Sequence, residues 1–446
     1  MKLFAPNSST KLKAVRGRLL NPMSDTDCQL YQDALLVGRF HGGEWLVDAI
    51  GPAKDIATSY GWNLKEIPSC EGTLLPPFYD THFHWVQDDV RQMPKASLLE
   101  WLERYTFPEE ARFEDPAYAE NKAKAFWSRI LGTGTAGGLC YSSIHDTALD
   151  AAMKYAPPCF RIGGAMMTMN CPDFLRQRKR EAIAAARYGV ETYGDRYCVS
   201  PRFAPTTHPE VMKETAKLAN KNGLFQQTHL DETRAEIEWV LGIYSDIAGF
   251  EDVETYTEIY ERCGVLGPRT VMGHAIHLEE TELELLARSD TAIASCPSSN
   301  APVDDDGLGS GLFNFEQVEE RGIRWALASD IGGGPYLSMF DVMSSFVSQN
   351  RDEGVFAATY CKALYRSTLA GAQILGHADH KGNFATGKSF DFIECIAPPS
   401  DAKCGTAEEL LLATIGQAQN RSEFDNFVLR TIIDGQSVFE KEPLIS

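Results

Sequence analysis

Ten histidines are spread along this 446-residue chain, and four of them stand where their type and spacing suit chemistry. Asp80-Thr81-His82-Phe83-His84 puts two imidazoles two residues apart at the end of an apolar run. Side chains in a strand alternate with period two, so His82 and His84 would point to the same side. Ten histidines placed at random give about 0.2 such pairs, so the pair alone carries little weight. Gln226-Gln227-Thr228-His229, Val271-Met272-Gly273-His274 and Ala328-Ser329-Asp330 close three further apolar runs in the same way. Imidazole nitrogen and carboxylate oxygen suit a borderline divalent ion, usually zinc and sometimes iron. Glu232 follows His229 by three residues, where a carboxylate can take a proton from an activated water and later pass it to a leaving group. Together these residues point to metal-assisted hydrolysis.

The elements that would position them alternate regularly. Strand-like runs lie near Phe78–Trp85, Gly138–Ile144, Cys159–Met166, Cys198–Ala204, Leu224–Leu230, Thr270–Ile276, Ala292–Cys296 and Trp325–Ser329, and helical patterns such as Asp173–Tyr188, Pro209–Asn220, Glu279–Ala287 and Phe315–Glu320 lie between them. Eight βα alternations in roughly 300 residues predict an α/β fold of the (β/α)8 TIM-like barrel type, residues 74–375. Every candidate ligand then falls at the carboxyl end of a strand, the face on which such barrels build their sites. The fourth strand, Tyr197-Cys198-Val199-Ser200-Pro201-Arg202-Phe203, has no lysine of the kind that bridges two metals in dinuclear barrels, so one ion is expected. The flanks carry shorter strand-like pieces: Leu12–Leu20, Cys28–Phe40 and Trp45–Ile50 at one end, Phe390–Cys395 and Phe427–Phe439 at the other. Neither flank can bury a core alone, which predicts a small β-sandwich domain formed jointly by residues 1–73 and 376–446.

Other chemistries fail on context. Gly132-Thr133-Gly134-Thr135-Ala136-Gly137 fits a dinucleotide fingerprint but lies between a helix and a strand, in the wrong order. His277-Leu278-Glu279 lacks the P-C-x-x-C partner of small zinc deaminases, and no G-x-S-x-G elbow occurs. His145, His208, His377 and His380 read as surface or turn residues. The formal charge of −20 repels phosphate backbones, so a small, neutral or weakly charged molecule is expected rather than a nucleic acid. Eleven cysteines are scattered without any C-x-x-C, and most of them read as reduced, buried hydrophobes. Met1-Lys2-Leu3-Phe4-Ala5-Pro6 offers no apolar leader core and no run is long enough for a bilayer, which together predict a cytoplasmic protein with no membrane partner.

These motifs resemble the amidohydrolase superfamily, and within it the guanine deaminase family. The narrower resemblance rests on Ser97-Leu98-Leu99-Glu100-Trp101-Leu102 with Tyr105-Thr106-Phe107-Pro108, Ser200-Pro201-Arg202-Phe203, Cys296-Pro297-Ser298-Ser299-Asn300, Ser310-Gly311-Leu312-Phe313, Asp330-Ile331-Gly332-Gly333-Gly334 and Gly382-Asn383-Phe384-Ala385-Thr386-Gly387-Lys388. It implies hydrolysis of guanine to xanthine and ammonia. In its terms His82, His84, His229 and Asp330 hold one zinc, with iron as the alternative ion. His274 stands beside it as a ligand or a partner of the bound water. Glu232 relays protons, and Asp330 orients the attacking hydroxide. Gln87, Arg202 and the backbone around Phe203 hold the purine. An Arg fork can donate to two acceptors on the O6/N7 edge of guanine, and an amide both donates and accepts. Relatives of this kind are typically dimers, which implies a homodimer.

Four departures bear on the substrate. Pro77 replaces a glycine, Trp85-Val86 replace smaller residues, Ser295 stands where a histidine is common, and Ala301-Pro302-Val303-Asp304-Asp305-Asp306-Gly307 lengthens the seventh loop with three carboxylates. Trp85 beside a ligand, or carboxylates at the mouth, would favour another aminopurine, a pterin or an aminotriazine. A third reading is a barrel kept only as a scaffold; such a chain should have lost ligands or the base, and this one keeps them all.

Overall fold

A computed structural model describes residues 3–5 and 11–442. The leader reading of Met1–Pro6 and the outer ends of the expected end domain therefore lie partly outside the described residues. The chain divides into two compact units, residues 80–127 with 137–337, and residues 1–79 with 128–136 and 338–446.

The chain ends meet in one seven-stranded mixed sheet, made from β1 (Leu12–Pro22), β2 (Cys28–His41), β3 (Glu44–Pro52), β4 (Ser69–Leu75), β13 (Phe392–Cys395), β14 (Val428–Ile433) and β15 (Gln436–Glu440). Their spatial order is β15-β14-β13-β4-β1-β2-β3. Period-two alternation sorts the apolar side chains of β2 onto two faces. Ala34 and Leu36 pack with Val15, Leu74, Phe390 and Phe392. Leu35 and Val37 pack with Ala14, Ile67 and the helix Ala53–Tyr60. β4 is absent from the sequence-based expectation because Ser69, Glu71 and Gly72 give its first half the look of a turn. Its place between β1 and β13 supplies backbone partners on both sides, which outweighs that local composition.

The second sheet has eight strands: β5 (Phe78–His84), β6 (Thr135–Ser142), β7 (Phe160–Met166), β8 (Cys198–Pro201), β9 (Phe225–Leu230), β10 (Thr270–His274), β11 (Ala292–Ser295) and β12 (Trp325–Leu327), in spatial order from β12 down to β5. All eight lie where the apolar runs predict, most ending a few residues earlier. Helices follow the strands, including Pro209–Asn222, Arg234–Tyr244 and Glu280–Ser289. Bonds between the first strand and the last bring the sheet round into a barrel. The Asp330 amide donates to the His82 carbonyl at 2.9 Å, the His84 amide to the Ile331 carbonyl, and Thr81 Oγ1 to the Leu327 carbonyl at 3.2 Å. Among the described residues, no helix is long and apolar enough to cross a membrane.

Candidate active site

Strand ends supply the site directly. His82 and His84 project from the end of β5, His229 from β9 and His274 from β10, while Asp330 follows β12. His274 and Asp330 have φ of 70° and 49°, left-handed values that few non-glycine residues adopt. That backbone turns each side chain inward as its strand ends. Gly273 gives the room: a Cβ there would sit 2.7 Å from Cε1 of His82, so only glycine lets β10 pass beside that imidazole.

The donor atoms converge. One nitrogen each from His82, His84 and His229 and one oxygen from Asp330 all lie within 4.8 Å of one another. His84 Nε2 is 3.1 Å from His229 Nε2, and Asp330 Oδ1 lies 3.4 Å and 3.5 Å from Nε2 of His82 and His84. Both ring nitrogens of His82 and Nε2 of His274 are buried with no hydrogen-bond partner among the described residues. Buried polar atoms are seldom left so, and a cation among them removes the penalty. This mixed N/O set fits a borderline divalent ion. Burial holds His82, His84 and His229 below the ordinary imidazole value, with the adjacent Asp330 carboxylate opposing it at His82. They are therefore neutral, the form that ligates.

Surrounding contacts orient these groups. His229 Nδ1 lies 2.6 Å from the Arg202 carbonyl and His274 Nδ1 3.0 Å from Asn300 Nδ2. Ser299 Oγ donates to Asp330 Oδ2 at 2.6 Å. Asp80, at the middle of β5, accepts from the amide and hydroxyl of Ser329, fixing the residue before Asp330. Burial pushes the Asp80 carboxyl up to about 6.

Glu232 lies just ahead of the helix Arg234–Tyr244. Thr233 caps that helix and Glu236 answers it in a capping box, accepting also from the Glu232 amide at 3.1 Å. The Glu232 side chain is thereby fixed in the cavity, with Ser310 Oγ donating to Oε1 at 3.1 Å and Oε2 3.6 Å from His274 Nε2. Two carboxyls in one site are driven apart. Burial, then the charge of Asp330, pushes Glu232 up to about 8. Burial opposes ionisation of Asp330 too, but the close approach of the His82 ring and the other imidazoles prevails and holds it below the usual range. Such divergence separates a proton-carrying group from a permanent anion.

His84, His229, His274, Glu232 and Asp330 face a cavity that Gln87, Arg202 and Phe203 also line, with Leu98, Trp101, Leu102, Leu308 and Gly333. Every residue expected to bind metal, substrate or proton is brought to this one place, with His82 directly behind the cavity wall. Two suspected modifiers of the pocket are not at it. Trp85 is buried against Phe113 and Phe126, its indole N–H 3.2 Å from Ser142 Oγ, and it does not line the cavity. Asp304, Asp305 and Asp306 are exposed, and the buried Lys95 ammonium ties their loop down through the Asp306 carbonyl at 2.9 Å. The G-x-G-x-x-G lookalike is the turn from the helix Pro116–Gly132 into β6.

Sequence reasoning missed the parts played by Asp80, Glu110, Ser299, Asn300 and Ser310. Ser299, Asn300 and Ser310 sit inside motifs quoted above, but nothing in a serine or asparagine states which ligand it will steady.

A parallel eight-stranded barrel with such donors at the carboxyl ends of its strands has the build of a metal-dependent hydrolase. The chain belongs to the amidohydrolase family, whose sequence model matches residues 73–438. It is similar to guanine deaminase of Escherichia coli K12, 30% identical over 455 aligned residues that cover 96% of this chain and 98% of the relative. Guanine deaminase of Dictyostelium discoideum is 32% identical over 80% of this chain and 81% of its own. Among solved structures, E. coli guanine deaminase superposes with a TM-score of 0.83 at 28% identity, covering 97% of this chain and 99% of that one.

Proposed function

We propose that this protein is a guanine deaminase, converting guanine and water to xanthine and ammonia with one zinc ion held by His82, His84, His229 and Asp330. The observation that carries the reading is the meeting of metal donors, a proton-holding Glu232 and the Arg202–Gln87 pair around a single cavity. Near-full-length similarity to guanine deaminases supports the choice of substrate.

A divalent ion in this donor set supplies Lewis acidity, bringing the pKa of a coordinated water toward neutrality. The protein's own groups do the rest. Glu232 has one oxygen fixed by Ser310, which leaves Oε2, the one facing His274, to accept a proton from the attacking water. The same oxygen then returns the proton to the departing amine, because a carboxyl tuned near neutrality can both take and give. Asp330 stays anionic and, with His274 Nε2 at 3.9 Å from its Oδ2, directs the nucleophile toward the ring carbon. Arg202 and Gln87 fix the purine's polar edge, while Phe203, Trp101 and Leu308 enclose its faces and keep bulk water away. With Trp85 and the three aspartates out of the cavity, no observation favours a pterin or an aminotriazine.

Zinc-loaded protein incubated with guanine should form xanthine and ammonia in equal amounts. Turnover of another aminopurine under conditions where guanine is untouched would overturn the assignment.

A further inference from the structure

Glu110 is 1% exposed and belongs to no step described above, yet it holds both Gln87 and Arg202, the two residues assigned to the purine's polar edge. It sits in the short helix Phe107–Ala111. Gln87 Nε2 donates to Glu110 Oε1 at 2.8 Å. Arg202 Nη1 donates to the same Oε1 at 2.8 Å and to Oε2 at 2.9 Å. Phe107, from the same helix, places its ring 5.3 Å from the guanidinium carbon.

Two consequences follow from chemistry alone. An ionised carboxylate only accepts, so the Gln87 group facing Glu110 must be its NH2, which removes the amide's freedom to flip. Because both donors meet on one oxygen, the remaining N–H of Gln87 and the free edge of the Arg202 guanidinium are held side by side. We propose that Glu110 is a specificity-determining positioning residue: it locks Arg202 and Gln87 into one paired donor that accepts a purine carrying an oxo group at position 6 and rejects one carrying an amino group there. This rests on the guanine deaminase reading. A 6-oxo oxygen can accept from both side chains, whereas a 6-amino group would set N–H against N–H in a buried site, where an unmatched polar group is costly. In Glu110→Gln, residue 110 can donate as well as accept, so the Gln87 amide is oriented only by the long 3.4 Å bond that its Oε1 accepts from the Gly332 amide, and Arg202 loses its charged partner.

The test is the ratio of kcat/KM for guanine to that for 2,6-diaminopurine, measured with zinc-loaded wild type, Glu110→Gln, Arg202→Met and the double variant. The ratio should fall at least tenfold in Glu110→Gln, mostly through a higher KM for guanine and with zinc content unchanged. Adding Glu110→Gln to Arg202→Met should lower the ratio by less than Glu110→Gln does in wild type, because only the Gln87 half of the pair remains to be released. If Glu110→Gln alone does not fold, the double variant, which no longer buries an unpaired guanidinium, decides by the same comparison with Arg202→Met. Parallel losses on both purines, or a full additional loss in the double variant, would show a merely structural carboxylate and overturn the proposal. Wild type inactive on guanine would defeat the functional reading and this inference with it; wild type active with an unchanged ratio in Glu110→Gln defeats this inference alone.

Discussion

Glu232 and Asp330 share one cavity and are pushed in opposite directions, and the cause in each case is what surrounds the carboxyl. Glu232 is buried with one serine hydroxyl to accept from, beside another negative charge. Asp330 is equally buried but faces imidazoles. Replacing Glu232 with Gln keeps the size and the Ser310 contact but removes the ability to carry a proton. Turnover should fall by about 10²–10⁴-fold, the usual contribution of a positioned acid–base group, with zinc content unchanged. Activity within tenfold of wild type would mean that another group carries the proton. At this scale the sequence was informative wherever residue type dictates chemistry, as with His82, His84, His229, His274 and Asp330. It was silent on Glu110, because a second glutamate after Phe107-Pro108-Glu109 has no distinguishing type, and its importance comes from where a five-residue helix happens to aim it. Trp85 shows the converse: its neighbour in the chain is a proposed ligand, but it opens the 3-10 turn Trp85–Val90 after β5 and packs against Phe113 and Phe126.

Elements set the precision of the site. The barrel strands were legible because their apolar runs end in polar motifs, whereas β4 needed its neighbours to be recognised. Gly273 on β10 lies against the His82 imidazole, and Gly273→Ala would force that ring to move. Displaced supports of metal ligands typically cost 10–100-fold in metal affinity, so zinc binding measured by competition with a chelating dye should weaken by about that range. Unchanged affinity would show that His82 is not a ligand. The helix Arg234–Tyr244 starts with Thr233 Oγ1 accepting from the Glu236 amide at 3.1 Å. Thr233→Ala should destabilise the protein by about 1 kcal/mol in urea unfolding, as loss of such a cap usually does. It should also lower kcat by loosening the backbone of Glu232, without altering zinc content. A variant as stable and as active as wild type would remove the cap from the account.

On the scale of the whole molecule, the charge of −20 and the small cavity point to the same kind of ligand, a compact molecule rather than a polyanion. The pairing of distant chain ends was legible in outline, since neither flank has enough apolar surface to stand alone. Its arrangement as a single seven-stranded sheet was not, because strand order depends on contacts between residues hundreds of positions apart, such as β4 with β13. The central claim is that residues from three barrel strands hold one ion and that this ion is needed for guanine hydrolysis. It is tested most directly by removing metal with a chelator and titrating zinc back while xanthine formation is followed. Activity should vanish in the metal-free protein and return linearly, reaching its plateau at one zinc per chain. Full activity without metal, or a plateau only at two ions per chain, would contradict the account.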